Sequence, residues 1–180
     1  GTVNTPGNTV TGYYIRKMMD ESNLDFLVNG SYQPWIEFRY AEMMLIYAEC
    51  LAHENEFEAA REVVAELRKV RFGRDDVVTP EVTDLDSTID LILKERATEL
   101  CFEGHRFWDL RRTGRAAKVL GGKKYNGVLW KKAADGTFTP TAVSCDMGAR
   151  QYPSRLDAFP IPQSARRRIP TSFRAACSSA

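Results

Sequence analysis

Apolar residues recur at steps of three and four over three stretches of the chain, the period of a helix with one buried face. Residues 40–54 carry Met44, Tyr47, Ala48 and Leu51 on one stripe, and residues 56–70 carry Phe57, Ala60, Val64 and Leu67. A link of about two residues forces such helices into antiparallel contact, and small Ala48 and Ala60 facing one another let the axes approach closely. The third stretch, 88–113, has the strongest periodicity: Leu93, Ala97, Leu100, Cys101, Gly104, Phe107 and Trp108 share a stripe. That stripe predicts that Leu100, Phe107 and Trp108 are mostly buried. Asp86-Ser87-Thr88 offers an N-cap, and Gly104 is a place where the helix can kink or stop.

The rest of the chain lacks this period. Residues 1–12 are rich in Gly, Thr, Asn and Pro and read as loop, 13–19 as a short strand or extended lead-in, and 20–34 as an irregular connection with a turn at Asn29-Gly30. After Gly114 the turn signals Gly121-Gly122, Asn126-Gly127 and Asp135-Gly136 stand among scattered apolar residues. Asp135-Gly136 can close a small hairpin between Leu129-Trp130-Lys131-Lys132 and Thr137-Phe138-Thr139. The pattern as a whole is all-α: tetratricopeptide-like antiparallel helix pairs, at 40–70 and with 88–113, followed by irregular chain from 114 to 164 and one small hairpin.

Candidate chemistry centres on the polar face of 88–113. Glu95, Glu99 and Glu103 stand four apart, where like charges repel, so the fold is expected to supply cations; Arg96, Arg106, Arg111 and Arg112 are at hand. A metal cluster is disfavoured because Glu103 and His105 are two apart rather than three. His53-Glu54-Asn55-Glu56-Phe57 starts like a zinc-protease helix, but Phe57 stands where the second histidine is needed. The enzymatic alternative, with Glu99, Glu103, His105 and Asp109 as an acid/base group, gives way to an ion-paired helix face on which at least two of Glu95, Glu99, Glu103 and Asp109 sit against arginines. Tyr125, Trp130 and Tyr152 lie on the loops, where aromatic rings either stack on a ligand or cover the helices. These three are the candidate ligand-binding residues; no catalytic or metal-binding residue and no cofactor is expected.

Net charge is +1, from 25 basic and 24 acidic side chains in 180 residues, which gives no global field to draw nucleic acid. The distribution is uneven: beyond Asp157 there are four arginines and no acid, so residues 1–164 hold 21 basic against 24 acidic, a net of −3. The basic tail 165–180 is expected to be disordered. Cys50, Cys101, Cys145 and Cys177 show neither zinc spacing nor a disulfide framework, and Cys50 and Cys101 read as small core residues. No apolar run approaches the roughly 20 residues of a membrane span. The first residues have no basic and apolar signal and read as a mid-chain loop, so the chain is expected to derive from something longer.

Several runs, taken in order, point to one family. They are Arg39-Tyr40-Ala41-Glu42-Met43-Met44-Leu45-Ile46-Tyr47-Ala48-Glu49-Cys50, Val70-Arg71, Ile92-Leu93-Lys94-Glu95-Arg96, Glu99-Leu100-Cys101-Phe102-Glu103-Gly104-His105-Arg106-Phe107-Trp108-Asp109-Leu110-Arg111-Arg112, and Phe159-Pro160-Ile161-Pro162-Gln163. From about Tyr13 to Ser164 the chain resembles the SusD/RagB family. The resemblance implies an α-helical, tetratricopeptide-like fold and the C-terminal part of a non-enzymatic outer-membrane lipoprotein. Such a protein binds glycans or other nutrients at the cell surface and caps a SusC-like TonB-dependent transporter. The lipid anchor and much of the binding surface would lie upstream of this sequence. The family's motifs here are scaffold residues and assign no sugar ligand, and the tail after Gln163 departs from the family pattern. A tetratricopeptide-like scaffold that holds a protein partner is the alternative function.

Overall fold

The computed structural model describes residues 9, 11–23, 32–145 and 148–157. Among them are five helices and one two-stranded sheet: α1 (Tyr40–His53), α2 (Phe57–Phe72), α3 (Leu85–Glu99), α4 (His105–Arg112), α5 (Ala116–Leu120), β1 (Asn126–Lys132) and β2 (Phe138–Ser144), with a 3-10 turn at Ser154–Asp157. The turn expected at Asn29-Gly30, the Phe159–Gln163 run, Cys177 and the tail 165–180 lie outside the described residues.

The first helices form as the pattern predicts, with a rotated contact face. Helix α1 turns Leu45, Ala48 and Ala52 fully inward against Ala60 and Val64 of α2 and Ile92 of α3. The expected stripe of Met44, Tyr47 and Leu51 is only its edge, and Tyr47 is exposed. Three alanines at the contact explain the rotation: burying small side chains brings the helix axes together, which leaves no room for a tyrosine. The three-residue link is fixed by Asn55 in the left-handed conformation at φ 65° and by the Glu56 amide donating to the Leu51 carbonyl at 2.9 Å. Helix α2 ends the same way on Gly73, φ 63°.

The third stretch does not form one helix. Helix α3 starts three residues early, capped by Asp84, whose carboxylate accepts from the Ser87 amide at 2.7 Å while the Ser87 hydroxyl turns back to the Asp84 amide. It ends at Glu99, and α4 begins at His105 after a turn in which Phe102 (φ 66°) and Gly104 (φ 85°) are both left-handed. The break resets the helical phase. Leu100 stays buried at 2 %, but α4 turns Asp109 and Leu110 inward and leaves Phe107 48 % and Trp108 57 % exposed, which corrects the expectation that both rings are buried. The two rings meet edge to face at 5.1 Å. Cys101, in the break, and Cys50, on the outer side of α1, are exposed rather than core residues.

Gly104 meets no atom where a Cβ would stand, so its replacement is opposed only by its own backbone. Gly104→Ala is therefore expected to cost about 1–2 kcal/mol, read as a lower urea midpoint with unchanged slope.

The hairpin is real and longer than predicted. Strands β1 and β2 pair antiparallel from Asn126 opposite Ser144 to Lys132 opposite Phe138. The loop between them is held by the Ala133 amide donating to the Thr137 carbonyl at 2.8 Å and by Asp135 accepting from the Thr137 amide at 2.9 Å. Asn126-Gly127 is not a turn. Gly127 is buried in β1, where a Cβ would stand 2.5 Å from the Thr11 carbonyl, and the Val128 amide donates to that same oxygen at 2.8 Å. The glycine is there because the N-terminal backbone passes over it. Residues 13–16 are extended lead-in without strand pairing, ending in a turn at Lys17-Met18.

Candidate functional site

The carboxylates of the motif are engaged, and mostly by partners far away in sequence. Glu95 meets Arg68 of α2 at 2.7 Å. Glu99 meets Arg39 at 2.7 Å and Arg71 at 3.3 Å. Glu103, its side chain almost wholly buried, takes Arg39 on both oxygens at 2.7 and 2.8 Å and Lys17 on one. Asp109 lies between Arg96 at 2.7 Å and Arg112 at 2.9 Å. Of the four arginines that the sequence offered, Arg96 and Arg112 serve as expected. Arg106 donates instead to the Leu93 carbonyl at 3.1 Å, and Arg111 to the carbonyls of Leu156 and Asp157.

The same cations explain why α3 stops where it does. A helix end exposes carbonyls that no amide within the helix can satisfy. Here Arg39 donates to the Glu99 carbonyl at 2.6 Å, and Lys17 donates to those of Glu99 and Cys101 at 2.8 and 3.1 Å. Positive charge at a helix C-terminus is favourable in its own right. Burial pushes the Glu103 carboxyl up, but the hydrogen bonds from Arg39 and Lys17 outweigh it and hold the group below the usual carboxylate range. His105 does not join this cluster; its Nδ1 lies 3.6 Å from Glu42. The four acid/base candidates thus face counter-charges, not an open cleft. Among the described residues no three His, Cys, Asp or Glu side chains are placed to share a metal ion.

The ring candidates fall on the second half of the chain. Tyr125 is 39 % exposed and carries the Arg150 guanidinium 4.3 Å from its ring centre. Trp130 is half-buried in β1 opposite Pro140. Tyr125 stands just before β1 begins at Asn126. Tyr152 is half-buried with its hydroxyl 3.0 Å from an Asp157 carboxylate oxygen; burial and that hydrogen bond both push its pKa up.

Sequence reasoning missed a hollow of about 510 Å³ between α1, α3 and α4, walled by Ile46, Cys50, His53, Arg96 and Arg112 with Glu49 and Glu54 at its edge. Arg112 bridges Glu49 and Asp109, and its pKa is raised first by the Glu49 hydrogen bonds. Exposed Cys50 on a helix expected to bury it was the only trace of this space in the residue pattern.

The described chain is thus a mostly helical body whose motif carboxylates are paired with cations, with a hairpin and loops appended. Residues 2–171 match the SusD family, and the chain belongs to that family. It is 39 % identical over 105 residues to the curated SusD-like protein P38 of Formosa agariphila, a match that covers 53 % of this chain and 20 % of that protein. A crystal structure of a SusD-like protein from Bacteroides fragilis superposes with a TM-score of 0.69 at 28 % identity, covering 89 % of this chain and 29 % of the other. The chain thus spans about a fifth of the length of the curated relative and under a third of the solved one.

Proposed function

We propose that this protein binds a glycan or another nutrient at the outer-membrane surface, without catalysis, as part of an uptake complex with a SusC-like TonB-dependent transporter. The observation that carries this reading is membership of the SusD family over residues 2–171. The charge network supports it: a reaction centre needs an acid or base free to reach a substrate, and the motif's carboxylates are committed to lysine and arginine. No helix among the described residues is long and apolar enough to cross a membrane; a lipid anchor is the proposed means of attachment.

Tyr125, Trp130 and Tyr152 remain the proposed ligand contacts, with Trp130 foremost. The Tyr125 ring already faces Arg150 and the Tyr152 hydroxyl is already bonded, whereas Trp130 sits on a small sheet that can offer one face. Equilibrium titration of the protein with neutral oligosaccharides tests this. Trp130→Ala is expected to weaken the affected ligand by about 1.4 kcal/mol, a factor of about 10 in Kd. An unchanged Kd removes Trp130 from the site, and silence across broad glycan and peptide panels removes the function.

A protein-interaction scaffold is the second reading, favoured by the α1–α2 pair, which we take as tetratricopeptide-like. Its groove carries exposed Tyr40 and Tyr47 over Met44, Leu51 and Val63. Copurification decides: recovery of an integral outer-membrane transporter merges the two readings, and recovery of a soluble partner favours the second.

A further inference from the structure

Arg96 and Arg112 of the motif each hold a carboxylate, but Arg106 has none within ion-pair distance, although its side chain is half-buried. Its Nη1 donates to the Leu93 carbonyl at 3.1 Å; Nε and Nη2 have no partner among the described residues and are not buried. A guanidinium drawn partly out of water without a counter-charge loses hydration and gains no Coulomb energy in return, so an anion beside it is favoured. Arg106 opens onto a hollow of about 290 Å³ between α3, α4 and α5, whose floor is Leu93, Ala97, Leu110 and Val119. That space is at the lower end of small-ligand sites.

The rim selects the sign of the charge. Lys94, Arg115 and Lys118 stand on it with Arg106, and Asp90 is its acid. Asp90 is shared between Arg115 and Lys118, and Asp86 takes Arg115 from outside the hollow at 3.0 Å. Two carboxylates thus serve two of the four cations, and Lys94 and Arg106 are left without one. A cation would be repelled, and a polyol would set hydroxyls against an apolar floor. An anion with an aliphatic body satisfies both the rim and the floor. The geometry points to a binding site for a short aliphatic carboxylate of roughly four to six carbons, its carboxylate on the Arg106 fork with Lys94 beside it and its chain on Leu93, Ala97, Leu110 and Val119. The site shares no residue with Tyr125, Trp130 or Tyr152 and stands whether or not those rings bind a glycan.

Isothermal titration of the whole protein with hexanoate at low salt tests the site, and a Kd on the order of 1 mM is expected for a ligand of this size. Acetate brings the charge without the chain and should bind about tenfold more weakly. Hexanol and hexylammonium bring the chain without the negative charge and should not bind measurably. Arg106→Gln keeps an amide donor for the Leu93 carbonyl but removes the fork, and should weaken hexanoate about tenfold. Lys94 is exposed, so Lys94→Gln leaves folding untouched; it should weaken hexanoate about threefold and flatten the dependence of Kd on NaCl. Val119→Trp fills the hollow and should abolish binding while leaving the thermal melt in place. No binding of hexanoate by the parent, hexanol binding as tightly as hexanoate, or a hexanoate affinity indifferent to both Lys94→Gln and Val119→Trp overturns the proposal. Trp130→Ala should leave hexanoate binding unchanged, so failure of the loop rings and failure of this site are read separately.

Discussion

Asp109→Ala is expected to destabilise the protein by about 3–5 kcal/mol, because it leaves Arg96 charged in the interior without the carboxylate that pairs with it. Arg96 and Asp109 are both about 95 % buried or more and join α3 to α4 across the break. Arg112 would keep Glu49 but lose its second carboxylate. In a chain of this length the loss corresponds to a melting temperature about 10 °C lower, or to failure to accumulate folded protein. The pair Arg96→Met with Asp109→Leu separates the value of the pair from the penalty of breaking it: a buried ion pair exchanged for apolar side chains of similar volume is often neutral, so the double variant should recover most of what Asp109→Ala loses. A single variant within about 1 kcal/mol of the parent would show that water reaches Arg96 and that the interior description is wrong.

Arg39→Ala is expected to cost about 3 kcal/mol, toward the lower end for a broken buried pair because Lys17 and Arg71 remain as partial substitutes. Its effect on pH is the more specific signature. Glu103 has a folded pKa held below its ordinary value of 4.5, so its contribution to stability is present above that value and is lost as pH falls through the lower, folded one. Without Arg39 the carboxyl keeps the burial that raises its pKa and loses the larger share of what lowers it. Chemical denaturation repeated between neutral and acid pH should then show the parent losing the Glu103 contribution below about pH 4.5, and the variant, less stable at neutral pH, losing less of its stability over the same acid range. Identical acid profiles would mean that Lys17 alone holds Glu103.

The sequence made the helical part of this fold legible because apolar period is a local property. The 40–54 and 56–70 helices appear within two residues of their predicted ends, and the pairing of Glu95, Glu99 and Glu103 with cations follows from like-charge spacing. What failed was non-local. The periodic stripe through Leu100 to Trp108 continues in sequence across a break at which Lys17 and Arg39, 82 and 60 positions upstream, satisfy the Glu99 carbonyl. Asn126-Gly127 looked like a turn because glycine there answers to the Thr11 backbone, which no window around residue 127 contains. The hollow beside Arg96 was invisible for the same reason: its walls come from three helices, and an unmet N–H leaves no mark on the residue pattern. The ring candidates came from their place on the loops after Gly114, where no helical period constrains side-chain direction.

The clamp that Lys17 and Arg39 place on the end of α3 also sets an order of events. Within helices α1, α2 and α3 the backbone contacts are local and form in microseconds. The Lys17 and Arg39 contacts close loops of 82 and 60 residues, and that entropy is recovered only when both ends are in place. Until then Gly104 alone marks the break, and the apolar pattern favours running on through Leu100 toward Trp108 as one helix. Such an over-long helix would carry Phe107 and Trp108 on the inward stripe and compete with the native register of α4. Arg39 thus acts late, converting one helix into two, and Arg39→Ala should slow the final folding phase while leaving the earlier helical signal unchanged.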